Sequence, residues 1–384
     1  MKISTNHLIE GKKQRDLVEK ALMDHFPDIV RPLTFRDMEI INQFKDGSFG
    51  FSFLGLMLYA NGYNLRGESS RYPQGLLYYD GENIFGLGFF KKTFEEEKGH
   101  LHIIAPRGKT WITVVNNFIK QVRQIPEIPK TSIYIRHLSE TKYRQLMDIR
   151  SGFSEIKDDP WHPFAHSEDE TYHHRLILLD EVITYDNTGS LVIKMLEGKE
   201  SRDFRRKAKL AYNRFKNFLH RNHVEFCIEP YHPDKQKQEA KDLIIRHFKT
   251  LKNAVGSSPE DYFNLIYHLP SFDQGNRDFF AYMGHLRNEN DRIPIMLFIG
   301  ERVNSDTVAL YATFALRDDQ IISHKYDPTG FTAISQYSYL RIFDLLRKNG
   351  IRYVDLGGSE VEDLDRFKRQ LGAKEVKTYW LVVT

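Results

Sequence analysis

The densest chemical signal in the chain is a run of cations on one helix. Between Lys199 and Asn222 nine lysines and arginines stand against Glu200 and Asp203. Stepping about 100° per residue, Arg202, Arg205, Arg206, Lys209 and Lys216 fall in an arc of about 100°. Phe204, Ala208, Ala211, Phe215, Phe218 and Leu219 take the opposite side, so one face packs and the other presents positive charge. Five like charges on one arc repel one another, and a stripe with few acids beside it suits a phosphate chain. A second stretch, residues 351–383, combines polar residues with tight turns. A short apolar strand, Ile351 to Leu356, carries Asp355 near its end and runs into Gly357-Gly358. Ser359-x-x-Glu362 has the form of a capping box, so a helix is expected from Glu360. Leu364, Phe367 and Leu371 recur at helical spacing as its inward stripe, Lys368 sits next to Phe367, and Gly372 suits a left-handed C-cap. Val376 to Val383 then reads as a strand. A third stretch, Tyr326-Asp-Pro-Thr-Gly-Phe-Thr-Ala-Ile-Ser335, joins a strand to a helix and offers Gly330 where backbone must turn.

The elements that position these stretches follow from periodicity and breakers. In the first half, a helix is expected over Arg15 to Phe26, a short strand at Arg31 to Thr34 and a helix from Arg36 to Phe44. Strands are expected at Leu76 to Tyr79 and Asn83 to Phe90 around Asp80-Gly81, at His100 to Ala105, and at Ser132 to Arg136, with a helix over Trp111 to Val122 between the last two. In the second half, extended segments at Arg175 to Leu179 and Ser190 to Met195 precede the basic helix. The strand Val224 to Ile228, helices Pro233 to Leu251 and Pro259 to Tyr267, and strands Phe279 to His285 and Ile295 to Gly300 come next. Thr307 to Leu316 and Ile321 to Tyr326 read as a hairpin around Arg317-Asp-Asp319, and Ser335 to Lys348 as a helix. Strands and helices mixed in this order make an α+β protein.

At 384 residues the chain suits two domains of about 150 to 200 residues each. With 28% charged and 41% hydrophobic residues it is globular, and a net charge of +3 leaves any polyanion affinity to a local patch. Residues 157–174 are polar, hold Pro160 and Pro163, and read as the connection between halves. His162, His166, His173 and His174 lie there, yet Pro163 interrupts a helical pair and no glutamate follows His162, so a solvated loop is favoured over a metal site and no metal is expected. Cys227, the only cysteine, reads as a structural thiol and points to a cytoplasmic setting. No apolar run is long enough to span a membrane and the start lacks a signal peptide's apolar stretch. Gly86-x-Gly88 lacks the third glycine and the helix of a dinucleotide fingerprint, and neither a Walker motif nor a Gly-x-Ser-x-Gly elbow occurs.

The strand, Gly-Gly turn, short helix, Phe-Lys, Gly, strand order of the last stretch resembles the C-terminal end of the Fem-type aminoacyltransferases and their relatives in the Gcn5-related N-acetyltransferase (GNAT) superfamily. Arg202-x-x-Arg205-Arg206-Lys207-x-Lys209 followed by a Val-x-Phe strand is similar to the Fem family's basic helix. Arg31-Pro-Leu-Thr-Phe-Arg-Asp37 and Leu56 to Tyr63 are more loosely similar to the soluble portion of lysyl-phosphatidylglycerol synthase. The resemblance implies two tandem GNAT-like domains, each a mixed, mostly antiparallel sheet flanked by helices, over residues 1–156 and 175–384.

It further implies an aminoacyl-tRNA-dependent transferase that moves an amino acid to an amine or hydroxyl acceptor, whether peptide, lipid headgroup or small molecule. Lys368 would then stabilise the ester's oxyanion, Phe367 would shape the ester pocket, and the Arg202, Arg205, Arg206, Lys209 and Lys216 stripe would hold the donor with Gly330 and Thr332. Asp355 would orient Lys368 or an incoming amine, or cap the turn. In GNAT enzymes the loop equivalent to Tyr326–Ser335 is glycine-rich and approaches the pyrophosphate of coenzyme A. Here only Gly330 is present, which resembles the Fem branch; an acyl-CoA donor, or a non-catalytic binding module on the same fold, are the alternatives. No cofactor is expected beyond the donor itself.

Overall fold

A parallel pair of strands needs a crossover, and the chain builds one in each half. The computed structural model describes residues 5–61, 75–90, 99–149, 153–155, 173–194, 199–250, 259–268, 278–316, 322–359 and 362–383. These divide into two units, residues 1–170 with 255–257 and 377–384, and residues 171–254 with 258–376.

The first unit contains β1 (Val30–Pro32), β2 (Leu76–Tyr79), β3 (Asn83–Phe90), β4 (His100–Gly108), β5 (Ile133–Leu138) and β6 (Phe153–Glu155), together with the last strand of the chain, β16 (Tyr379–Val383). They form one sheet in the order β1-β2-β3-β4-β5-β16-β6. Only β4 and β5 run parallel, and helix Trp111–Val122 makes their crossover, burying Trp111, Val115, Phe118, Ile119 and Val122. Phe118 meets Phe26, Tyr78 and Phe85 ring to ring, so the helix that connects the parallel strands also anchors the core. The β4–β5 ladder ends at Ile104 paired with Arg136. The next residue on each strand, Ala105 (φ 48°) and His137 (φ 54°), is left-handed, a conformation rare for residues with a Cβ.

The second unit repeats the pattern. β7 (His174–Leu178), β10 (Glu225–Pro230), β11 (Phe279–Arg287), β12 (Arg292–Arg302), β13 (Thr307–Ala315), β14 (Tyr353–Asp355) and β15 (Lys374–Val376) pair in the order β10-β11-β12-β13-β14-β7-β15. Again four antiparallel strands lead into one parallel pair, β13 and β14, with antiparallel strands beyond. Adjacent residues of a strand face opposite ways. Phe226 accordingly packs with Phe215 of helix Lys199–Arg221 and Tyr337 of helix Ile334–Lys348. Cys227 pairs across β10–β11 with His285, whose ring lies 3.7 Å from Glu239 of helix Pro233–Thr250 on the other face. A separate two-stranded ribbon, β8 (Ile183–Tyr185) with β9 (Leu191–Ile193), completes the strands. Among the described residues no helix is long and apolar enough to cross a membrane.

Three expectations are corrected. The hairpin around Arg317–Asp319 does not form: β13 takes β14 as its neighbour in parallel, and Lys325 and Tyr326 both donate to the Ile322 carbonyl in a helical turn. Only Ile322 of the described residues there is buried, and it is followed by exposed Ser323, His324 and Lys325. The strand expected over Val376–Val383 is split at Lys377-Thr378, and its second part, β16, lies between β5 and β6 in the first unit's sheet, outside the 175–384 segment's own fold. His174, placed in a solvated connection, is buried in β7; His162 and His166 lie outside the described residues.

His285 supplies a pH test of the second core. Burial, reinforced by the Arg292 cation and only partly offset by Glu229, pushes its imidazole down to about 4. The unfolded chain, with an ordinary imidazole near 6.5, binds the proton first as pH falls. Stability should therefore decline below about pH 6.5 and lose about 3 kcal/mol by pH 4. Urea unfolding between pH 7.5 and 4 should show a shallower decline for His285→Gln; an unchanged slope refutes the assignment.

Candidate functional site

Helix Glu362–Gln370 turns its charged side inward. The expected apolar stripe is only partly used, since Leu364 is exposed and Phe367 half-buried, its ring edge-on to Tyr339. The side chains it buries are Asp365 (1% exposed) and Lys368 (6% exposed). Burying charge is costly unless every charge is paired and hydrogen-bonded. Asp365 meets that condition: Arg175 of β7 forks onto it at 2.6 and 3.1 Å, and Arg369 makes an ion pair with the same carboxylate at 3.0 Å.

The Lys368 ammonium donates to the carbonyl oxygens of Gly357, at 3.2 Å, and Gly358. Below the same turn, the Asp355 carboxylate accepts from the Gly357 N–H at 2.8 Å and stands 3.6 Å from His174. Arg175 N–H completes the hold on the Gly357 carbonyl at 3.0 Å. Gly357 adopts φ 67°, which explains the glycine. The lysine assigned to a developing oxyanion thus donates to both carbonyls of the Gly357-Gly358 turn, and Asp355 accepts from the same turn. Ser359 does not close the expected capping box: its hydroxyl is buried and makes no hydrogen bond among the described residues. The described helix starts at Glu362, and Gly372 (φ 92°) ends it as expected.

The loop before helix Ile334–Lys348 is tied to the basic helix. Asn222 exchanges two hydrogen bonds with the Asp327 backbone, at 2.8 and 3.0 Å, and Arg221 donates to the Asp327 carboxylate at 2.9 Å and to the Thr329 carbonyl at 3.1 Å. The Asp327 carboxylate also accepts from Thr329 N–H at 2.9 Å, while Phe331 N–H goes to the Pro328 carbonyl and Ala333 N–H to that of Gly330. Gly330 (φ 88°) lies so close to the Arg214 carbonyl that a Cβ would meet it at 2.7 Å. Four backbone donors that could face a pyrophosphate are thus spent internally, around a carboxylate of the wrong sign. Thr332 is exposed on the turn that follows.

The basic helix divides as the arc requires. Ala208, Phe215 and Phe218 are buried, while Arg206, Lys209 and Lys216 are exposed, joined by Lys207 and Arg214. The side chains of Arg202 and Arg205 lie outside the described residues. The helix packs on Ile334–Lys348 and on Glu362–Gln370, which brings the cationic face, the loop and the Gly-Gly turn into one unit. Sequence reasoning missed Arg175, Asp365, Asn222 and Asp327. For Asp327 a signal existed, since Asp-x-Thr is a turn former; Arg175 and Asp365 are too far apart in the chain to announce a pair.

No family model matches the chain, and no curated protein matches it. Solved structures do. A conserved protein of unknown function from Bacteroides thetaiotaomicron superposes with a TM-score of 0.59 at 15% identity, over 92% of this chain and 99% of its own. L-PGS from Bacillus licheniformis gives 0.55 at 13%, over 91% and 92%. FemX gives 0.53 at 12%, over 92% and 96%. The fold is of the Fem type. The described site accordingly lies on a sheet shared in fold with these proteins, with the Gly357-Gly358 turn at the end of the strand that pairs in parallel with β13.

Proposed function

We propose that the protein is an acyltransferase that takes an amino acid from its ester on tRNA and gives it to an amine or hydroxyl acceptor. The acceptor nitrogen or oxygen attacks the ester carbonyl, its bond to carbon forms as the ester C–O bond breaks, and the ribose hydroxyl leaves with the displaced proton. Each unit would be one GNAT-like domain, a reading supported by the repeated strand order. The observation that carries the choice of donor is the loop Asp327–Ala333. Four of its N–H groups, those of Asp327, Thr329, Phe331 and Ala333, bond within the protein and its centre is a carboxylate held by Arg221, which disfavours a coenzyme A pyrophosphate there. Beside it stands an exposed row of cations suited to a longer polyanion. In this reading the stripe holds the tRNA, and Lys368, Asp355 and Arg175 keep the Gly357-Gly358 turn rigid where Phe367 shapes the ester pocket.

Calorimetry with acetyl-CoA and longer acyl-CoAs, beside filter binding of charged tRNA, tests the choice. The expected result is no saturable binding heat with coenzyme A thioesters up to about 100-fold above a micromolar affinity, and tRNA retention at low salt. A micromolar thioester signal without tRNA binding reverses it.

A further inference from the structure

In the first unit, β4 and β5 part company at two left-handed residues, Ala105 and His137, which follow directly on the last paired positions. Backbone held in so rarely populated a region clusters at functional sites. The segment that leaves β4 there, Pro106-Arg107, meets Lys142 of helix Glu140–Ile149. The Lys142 ammonium donates to the Pro106 carbonyl at 3.2 Å and to the Asp46 carboxylate at 3.4 Å. Asp46 is already claimed by the Arg107 guanidinium, at 2.7 and 3.2 Å, and Arg107 also binds Ser48 and its neighbour's carbonyl. One carboxylate therefore serves two cations. The Trp111 ring, 5.9 Å from Nζ, walls the amine on another side, yet its side chain keeps 17% of its surface open, unlike Lys368.

We propose that Lys142 is an acyl-accepting amine, a covalent modification site for acyl thioesters built into the first unit. The neutral nitrogen attacks the thioester carbonyl, the C–N bond forms, and the C–S bond breaks. The thiolate leaves and takes up the proton shed by nitrogen. The product is an amide and a free thiol, and Asp46 is left to Arg107 alone.

The electrostatics supply the neutral nucleophile. Burial, with the Arg107 cation adding to it and Asp46 opposing, pushes Lys142 down to about 7. Desolvation beside a second cation is how lysine nucleophiles are activated. At pH 7 about half of Lys142 is neutral, against about 1 in 2,500 of an ordinary lysine. The lower basicity costs part of that gain, since nucleophilicity falls with pKa, and a net advantage of about tenfold or more remains.

The test is acetylation of the intact protein by S-acetyl-N-acetylcysteamine, mapped by peptide mass spectrometry from pH 6 to 9.5, with Lys109 (82% exposed) as internal reference. Lys142 should be acetylated about tenfold or more faster than Lys109 at pH 7, with a rate that levels off above about pH 8. Asp46→Asn, which removes the one opposing charge, should move that inflection to lower pH. A Lys142 rate no greater than that of Lys109 at pH 7, or one still climbing through pH 9, overturns the proposal without recourse to a variant.

Discussion

Replacing Asp365 by alanine is expected to cost the second unit about 3–5 kcal/mol of stability, the largest loss from any single polar truncation in this site. The change strips the bidentate partner from Arg175 and the ion pair from Arg369, and leaves Arg175 only the more exposed Glu375, 3.6 Å away. A midpoint shift of about 6–20 °C follows for a unit of this size, read by thermal or urea unfolding. Asp365→Asn, which keeps the shape and one acceptor, should lose less. Pairing Asp365→Ala with Arg175→Met should recover much of the loss, because removing both charges of a buried pair is far cheaper than removing one. A loss under about 1 kcal/mol for Asp365→Ala would show that water replaces the carboxylate, a cost typical of exposed pairs.

Reversing the stripe should have the largest effect on binding. Arg206→Glu, Lys209→Glu and Lys216→Glu together are expected to weaken charged-tRNA retention by about 100-fold at low salt, and to flatten the dependence of log affinity on log salt by about 2. All three side chains are exposed on the outer side of helix Lys199–Arg221, so folding should be unaffected and unfolding curves should overlay those of the parent. Lys209→Arg with Lys216→Arg keeps the charge and should bind within about threefold, since a phosphate chain read through counterion release asks for charge more than for shape. Unchanged retention by the triple reversal would remove the stripe from donor binding and with it the main electrostatic support for a tRNA ester. The coenzyme A calorimetry would then carry the decision about the donor.

Much of the architecture was legible in the order of residues. The strands Leu76–Tyr79 and Asn83–Phe90 and the helix Trp111–Val122 fall on the residues that alternation and helical spacing assign. The inner and outer faces of Lys199–Arg221 are likewise those of its 100° arc. These features are local: a repeat in the chain maps directly onto a repeat in space, and the chain itself tells which side of an element avoids water.

Partners are another matter. Val376–Val383 is apolar enough to join any sheet, and only the assembled fold sends Tyr379–Val383 between β5 and β6. Helix Glu362–Gln370 carries a plausible apolar stripe, yet Asp365 and Lys368 go inward because Arg175, 190 residues away, and two glycine carbonyls satisfy their charges. Burial of a charge depends on what meets it, and what meets it is set by chain segments whose encounter leaves no periodic trace. The loop around Gly330 follows the same logic. Its single glycine hints at a weakened phosphate cradle, but the occupation of that cradle by Asp327, Arg221 and Asn222 exists only where the end of one helix is packed against the start of another.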